Sequence, residues 1–156
     1  MNQVAEPKFV LTENAFSMLC HVEVHICAKA EIVWGLLTDA ENFPRWNSTV
    51  TGVGGEIRDG QRLRLRVPGT NRVFTPKVSG VVFCEQMAWT GGFSPMFKGV
   101  RTFKLRRRSD CSTDFSMEER FSGLMLPLLK RALPDFKPVF ESYAGDLKAA
   151  AERSKA

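Results

Sequence analysis

No apolar run in this 156-residue chain approaches the roughly 18 residues that a membrane-crossing helix needs. The opening stretch, MNQVAEPKFVLTEN, lacks the basic start and greasy centre of a secretory leader, so a cytoplasmic protein is expected. The four cysteines, at 20, 27, 84 and 111, form no CxxC pair and no metal-ligand spacing. Cys20 and Cys27 have opposite parity and face opposite ways on a strand, so reduced thiols are expected rather than disulfides. The two histidines, His21 and His25, stand four positions apart, about 13 Å on a strand and too far to share a metal. No Ser-His-Asp or Cys-His arrangement offers a nucleophile. The GVGG at 52–55 is followed by no Lys-Ser or Lys-Thr pair, so it reads as a strand bend rather than a phosphate cradle. Neither a metal nor a cofactor is called for, and repeats, low-complexity tracts and linkers are missing.

What remains is an ordinary globular composition, 44% apolar and 25% charged, at a length that suits one domain. The net charge of +5 is mild. Arg62, Arg64 and Arg66, with Lys104 and Arg106, fall on outward strand positions with no exposed aromatics between them. They read as a solvated face that protects sheet edges, and no nucleic-acid partner is expected.

The most informative stretch runs from Met96 to Gly123. Gly99, Arg101, Phe103 and Leu105 alternate on one arm, and Phe115, Met117, Glu119 and Phe121 on the other, around a polar turn at Ser109–Ser112. Side chains change face at every strand residue. If the hairpin closes at that turn, Leu105 faces Phe115, Phe103 faces Met117, Arg101 faces Glu119 and Gly99 faces Phe121. A cation and an anion then oppose each other among large apolar groups, which is costly unless they are paired or used. The other face, with Lys98, Thr102, Lys104, Arg106, Ser116, Glu118 and Arg120, is wet.

Elsewhere, residues 1–14 read as a loose or edge-packed arm. Phe16–Cys27 is a half-buried strand with Met18, Cys20, Val22, Val24 and Ile26 inward and both histidines outward. Short helices follow at Ala30–Leu37 and Thr38–Trp46, the second ending near Pro44. Strands are expected at Val50–Ile57, Gln61–Val67, Val73–Phe83 and Gln86–Thr90, the first two separated by an Asp59-Gly60 turn. Leu124–Leu133 is an irregular helical piece. A main helix capped by Asp135 runs to about Arg153, with Phe136, Phe140, Tyr143, Leu147 and Ala150 as its apolar stripe and Pro138 in its first turn. That stripe needs a partner, and the apolar face of the sheet supplies it.

The segments AEIVWGLLTDAENFPRWN (30–47), VFTPKV (73–78), AWTGG (88–92), GVRTFKL (99–105) and TDFSMEERFSGLMLPLL (113–129) resemble the SRPBCC superfamily, the START-like and birch-pollen-allergen-like helix-grip proteins. The closest flavour is the bacterial branch labelled polyketide cyclase/dehydrase-like. The resemblance covers residues from about 16 to the end. It implies an α+β helix-grip fold: a seven-stranded curved antiparallel sheet, with two short helices after strand 1, wrapped around a long C-terminal helix over an internal cavity. Residues 1–15 would be an N-terminal arm and 16–156 one domain. Members bind lipids, sterols, polyketides or other hydrophobic molecules, and a minority do chemistry on them. Relatives often carry histidine in the G-x-H-x-F position where this chain has Arg101. Arginine stays protonated and can hold an anionic or carbonyl oxygen but cannot shuttle protons.

These readings define the candidate site: Arg101 and Glu119 as an anchor or a structural pair, and Trp89, Phe103, Phe115, Met117, Phe121, Phe140 and Tyr143 as lining or plain core. The resemblance adds Trp46 and Asn47 at a junction near the pocket mouth. The expected partner is one small hydrophobic or amphipathic molecule, bound by a monomer or homodimer. A cyclase, aromatase or dehydratase with Glu119 as general acid/base and Arg101 stabilising an enolate is the alternative, although an adjacent arginine lowers a carboxylate's pKa and works against that role. An interaction domain with a filled core is a third reading.

Overall fold

The computed structural model describes residues 5–154, and expectations for residues 1–4 and 155–156 lie outside the described residues. In chain order the elements are β1 (Lys8–Glu13), β2 (Ser17–Ile26), α1 (Ala30–Thr38), α2 (Phe43–Trp46), β3 (Gly52–Gly54), β4 (Arg64–Arg66), β5 (Val73–Phe74), β6 (Lys77–Val82), β7 (Gln86–Phe93), β8 (Phe97–Arg107), β9 (Thr113–Ser122), α3 (Leu126–Leu129) and α4 (Phe136–Ser154), with a 3-10 turn at Lys130–Ala132 before α4.

The β8–β9 hairpin closes in the register that its alternation demands. Gly99 pairs with Phe121, Arg101 with Glu119, Phe103 with Met117 and Leu105 with Phe115. The Arg108 amide donates to the Ser112 carbonyl at 2.9 Å and shuts the turn. Strand β2 lies on the far side of β9 and turns Met18, Cys20, Val22, Val24 and Ile26 to the same buried face. The main sheet is antiparallel, six-stranded, in the order β1-β2-β9-β8-β7-β6.

Seven strands in one sheet was the expectation; the chain instead divides six from three. A separate sheet, β3-β4-β5, forms beside the first. Pro76 explains the split. It has no N–H for a ladder, its carbonyl accepts the Leu63 amide at 2.9 Å, and the stretch read as one strand breaks into β5 on β4 and β6 on β7. The glycines around Val53 trim the preceding strand to three residues. Pro44 opens α2 rather than ending it, sitting in its first turn where a missing amide is harmless. Within the N-terminal arm, Lys8–Glu13 adds itself to the edge of β2, and Phe9 meets Phe140 edge-on at 5.7 Å.

Helix α4 lies across the concave face with Phe140, Tyr143, Ala144, Leu147, Ala150 and Ala151 buried. The Asp135 carboxylate accepts the Lys137 amide at 3.1 Å and caps its start. Further along, Asp146 accepts the Ser48 amide and hydroxyl at 2.8 and 2.6 Å, Lys148 donates to the His25 carbonyl at 2.9 Å, and Glu152 accepts the Cys27 amide at 2.8 Å.

On the convex face the two histidines point outward, as read, and pair with carboxylates of β9: His21 with Glu118 at 3.1 Å and His25 with Asp114 at 2.8 Å. Asp114 also takes Arg106 at 2.7 Å and Arg108 at 3.3 Å. Partial burial pushes its carboxyl up, but the bonds from His25 and Arg106 and the Arg108 charge outweigh that and hold it below the usual 3.8. A depressed folded-state pKa stabilises above the unfolded value and fades as pH falls through the folded one. Asp114→Asn should therefore lower the urea midpoint at pH 7, with a loss of unfolding free energy of no more than about 1 kcal/mol. The variant should also lose less stability than the parent between pH 7 and pH 3.

Candidate functional site

The paired strands lay inward side chains in rows across the sheet. One row reads Trp89–Arg101–Glu119–Cys20, and the next row inward reads Met87–Phe103–Met117–Val22. Toward the other end the row is Gly91–Gly99–Phe121–Met18. The charged pair is thus bordered on one side by packed core and on the other by Gly91 and Gly99 next to Trp89 and Arg101 and by Phe121 and Met18 next to Glu119 and Cys20. A Cβ placed on Gly91 would meet nothing within 4 Å, and one on Gly99 would lie 3.4 Å from the Phe121 ring and 3.8 Å from Glu119 Oε1. The open space over Gly91, with the Phe121 ring closing over Gly99, makes a small notch beside the pair.

Arg101 donates through Nη2 and Nε to the same oxygen, Glu119 Oε2, at 2.5 and 3.1 Å. Glu119 Oε1 is left on the side of Gly99. The guanidinium also stands over the rings of Phe140, at 5.4 Å, and Tyr143, at 5.9 Å. Both charged side chains remain in reach of solvent, at 17% and 16% exposure. Burial alone would lower the arginine's pKa, but the Glu119 charge and its hydrogen bonds reverse that and hold it above the ordinary value. It is a permanent cation. Beside it, burial pushes the Cys20 thiol up to about 11, with the Glu119 charge adding to the effect.

Behind the pair sits an aromatic cluster. Phe43 lies 4.8 Å from Trp46, 6.0 Å from Trp89 and 6.2 Å from Tyr143, and Trp46 meets Tyr143 edge-on at 5.7 Å. Trp46 Nε1, Trp89 Nε1, Tyr143 Oη and Asn47 Nδ2 are buried without a hydrogen-bond partner in the protein. Burial drives the Tyr143 phenol well above its ordinary pKa, so it stays protonated.

The ten residues singled out from the sequence all lie on the concave side, but they divide by accessibility. Phe103, Phe115, Met117 and Phe140 are fully buried, and Tyr143 nearly so; Tyr143 stacks on Phe115 at 6.3 Å and lies 6.1 Å from Phe103. Around these five the space under α4 is filled by rings, so the expectation of a cavity there gives way to solid packing with a notch at one end. Arg101, Glu119 and Trp46 keep some exposure, while Trp89 and Phe121 border the charged pair. Sequence reading missed Gly91 and Gly99 as shapers of the site, although their pairing follows from the hairpin register. It also missed Phe43 as the hub of the cluster, and Phe97 and Phe136, which stack on Phe121 at 5.8 and 5.1 Å. Two depressions lie away from this site. One, of about 990 Å³, runs along the convex face past Lys8, His25, Lys104, Arg106 and Asp114; the other, of about 290 Å³, lies beside Pro68, Pro138 and Ser142.

Residues 20–152 match the family described as "Polyketide cyclase / dehydrase and lipid transport". The chain belongs to this family. Solved structures with the same polyketide cyclase-like fold include a START superfamily protein from Mycobacterium smegmatis, 21% identical, covering 87% of this chain and 98% of that one with a TM-score of 0.66. MLL2253 from Mesorhizobium loti is 20% identical over 86% of this chain and 98% of its own, at 0.67. DynU16, from the dynemicin biosynthetic locus, is 18% identical over 87% of this chain and 48% of its own, at 0.67. No curated protein matches the chain. Among the described residues of this family member no helix is long and apolar enough to cross a membrane.

Proposed function

We propose that this member of the polyketide cyclase/dehydrase and lipid-transport family binds one small amphipathic molecule, lipid- or polyketide-like, with its polar end in the notch. The observation that carries the reading is a solvent-reachable ion pair beside the open space over Gly91. The Arg101 bonds to Glu119 use Nε and Nη2, which leaves Nη1 for a carboxylate, phenolate or carbonyl oxygen of a ligand. Glu119 fixes the guanidinium plane. Trp89, Phe121, Phe97 and Phe136 supply apolar walls, and burying ligand surface against them contributes roughly 25 cal/mol per Å² before the costs of binding.

The test compares a fluorescent long-chain fatty acid with its methyl ester. Arg101→Met should weaken the acid about tenfold or more, because a hydrogen bond to a charged group contributes roughly 1.5–3 kcal/mol, and the ester should change little. Equal losses for both probes would remove the anchor role. Native mass spectrometry of freshly purified protein then names the resident molecule.

The family's cyclase and dehydrase members keep a second reading in play, and Glu119 Oε1 on the notch side is the observation that favours it. That oxygen takes no bond from Arg101 and lies on the Gly99 side, and in this reading it would exchange a proton with the substrate. Glu119→Gln should preserve binding and abolish turnover if chemistry occurs. Unchanged turnover would end the enzyme reading.

A further inference from the structure

Three chain segments meet at the end of the sheet that holds the notch. The Gly123 amide donates to the Phe16 carbonyl at 3.3 Å, Leu124 to Pro95 at 3.1 Å and Met125 to Met96 at 2.9 Å. Gly123, at φ +132°, allows the close approach, since a Cβ there would collide with the Met96 carbonyl. Buried Leu126 pins α3 behind this junction. The bonds thus fix a tip from which Phe16, Phe93, Met96, Leu124 and Leu128 project, with Phe93 and Leu128 exposed by 71% and 74%. Large apolar side chains scattered singly need no explanation; five on one tip do.

Charge at the tip is net positive. Residues 14–17, 93–100 and 120–134 carry Lys98, Arg120, Lys130 and Arg131 and no carboxylate. Glu13, at the border, pairs with Lys130 at 3.4 Å. We propose that this tip docks on a bilayer surface containing anionic lipid. Greasy side chains projecting from turns, ringed by cations, suit an interface that is soft and apolar within and negative outside. A second copy of the chain fits poorly, because an isologous contact would set these cations against themselves. A rigid protein partner would need a matching pocket for each protruding side chain. The docking surface stands whether or not the notch holds a ligand; if it does, the ligand's entrance faces the membrane.

Sedimentation with vesicles tests this, using phosphatidylcholine alone and phosphatidylcholine mixed with phosphatidylglycerol. The protein should pellet with the mixed vesicles and at least about tenfold less with neutral ones, and salt should weaken the binding. Phe93→Ser with Leu128→Ser should reduce binding by about tenfold or more, and Lys130→Gln with Arg131→Gln by about fivefold per charge. Both pairs should melt close to the parent: Phe93, Leu128 and Arg131 are exposed, and Lys130, whose side chain is 24% exposed, gives up only a surface ion pair with Glu13 and a bond to the Asn14 carbonyl. Failure to bind mixed vesicles, equal binding to neutral ones, or variants that bind as well as the parent would overturn the proposal. So would a dimer in sedimentation equilibrium that Phe93→Ser with Leu128→Ser dissociates.

Discussion

Glu119→Leu is expected to destabilise the fold by about 2–3 kcal/mol, and adding Arg101→Met is expected to restore most of the loss. Removing one member of a buried ion pair leaves the other charge unmatched, which costs about 3–5 kcal/mol when solvent is excluded. Here the guanidinium keeps 17% exposure and lies over two rings, so some water returns and the penalty falls below the full value. Replacing both partners by apolar side chains of similar volume removes the uncompensated charge, and such swaps are neutral or stabilising in other cores. Urea unfolding of the parent, both single variants and the double variant closes the cycle. A double variant as stable as the parent that no longer takes the fluorescent fatty acid would mean that the pair serves binding at no benefit to the fold. A double variant as unstable as Glu119→Leu would make it a structural register pin.

The second large effect comes from two neighbouring glycines with opposite constraints. At Gly91 the added side chain meets open space and the backbone is extended, so Gly91→Val should fold with a nearly unchanged melting temperature while filling the notch beside Arg101. Affinity for the fluorescent probe should drop by more than tenfold, as expected when apolar contact is lost and the anchor is screened. At Gly92 the backbone has φ +81°, and a Cβ would run into the Phe97 carbonyl of the paired strand. Gly92→Ala should lose at least about 2 kcal/mol from left-handed strain and displacement of β8. Thermal melts and probe titrations on the two variants separate the cases. A Gly91→Val protein that binds as the parent does would place the ligand elsewhere.

Much of this arrangement was legible in the chain because it follows from period-two alternation around one turn. Once Ser109–Ser112 closes the hairpin, the opposition of Arg101 and Glu119 is forced, and so is the outward aim of His21 and His25. The capped start of α4 was equally plain from Asp135 and the apolar stripe behind it. What escaped depends on backbone pairing or on volume. Strand β1 presents mostly exposed side chains, so its membership in the sheet rests on main-chain bonds that leave no pattern. The break at Pro76 was written in the sequence but outweighed by the apolar run around it. Whether the space under α4 would be hollow turned on how Tyr143, Phe103, Phe115 and Phe43 share volume, and spacing carries no such information.

The fastening of α4 has a mechanical consequence. Its later turns are moored by polar links to residues 25, 27 and 48, through Lys148, Glu152 and Asp146. Its opening turn meets the sheet through Phe136 on Phe121, a sliding contact between ring faces that keeps its value over small displacements. The rod is therefore held by hydrogen bonds at its later turns and by ring packing at its opening turns, where Phe136 lies on Phe121 and Phe140 meets Phe9 and the Arg101 guanidinium. If a ligand enters beside Arg101 as proposed, the contacts it must displace at that end of the helix are ring packing rather than hydrogen bonds.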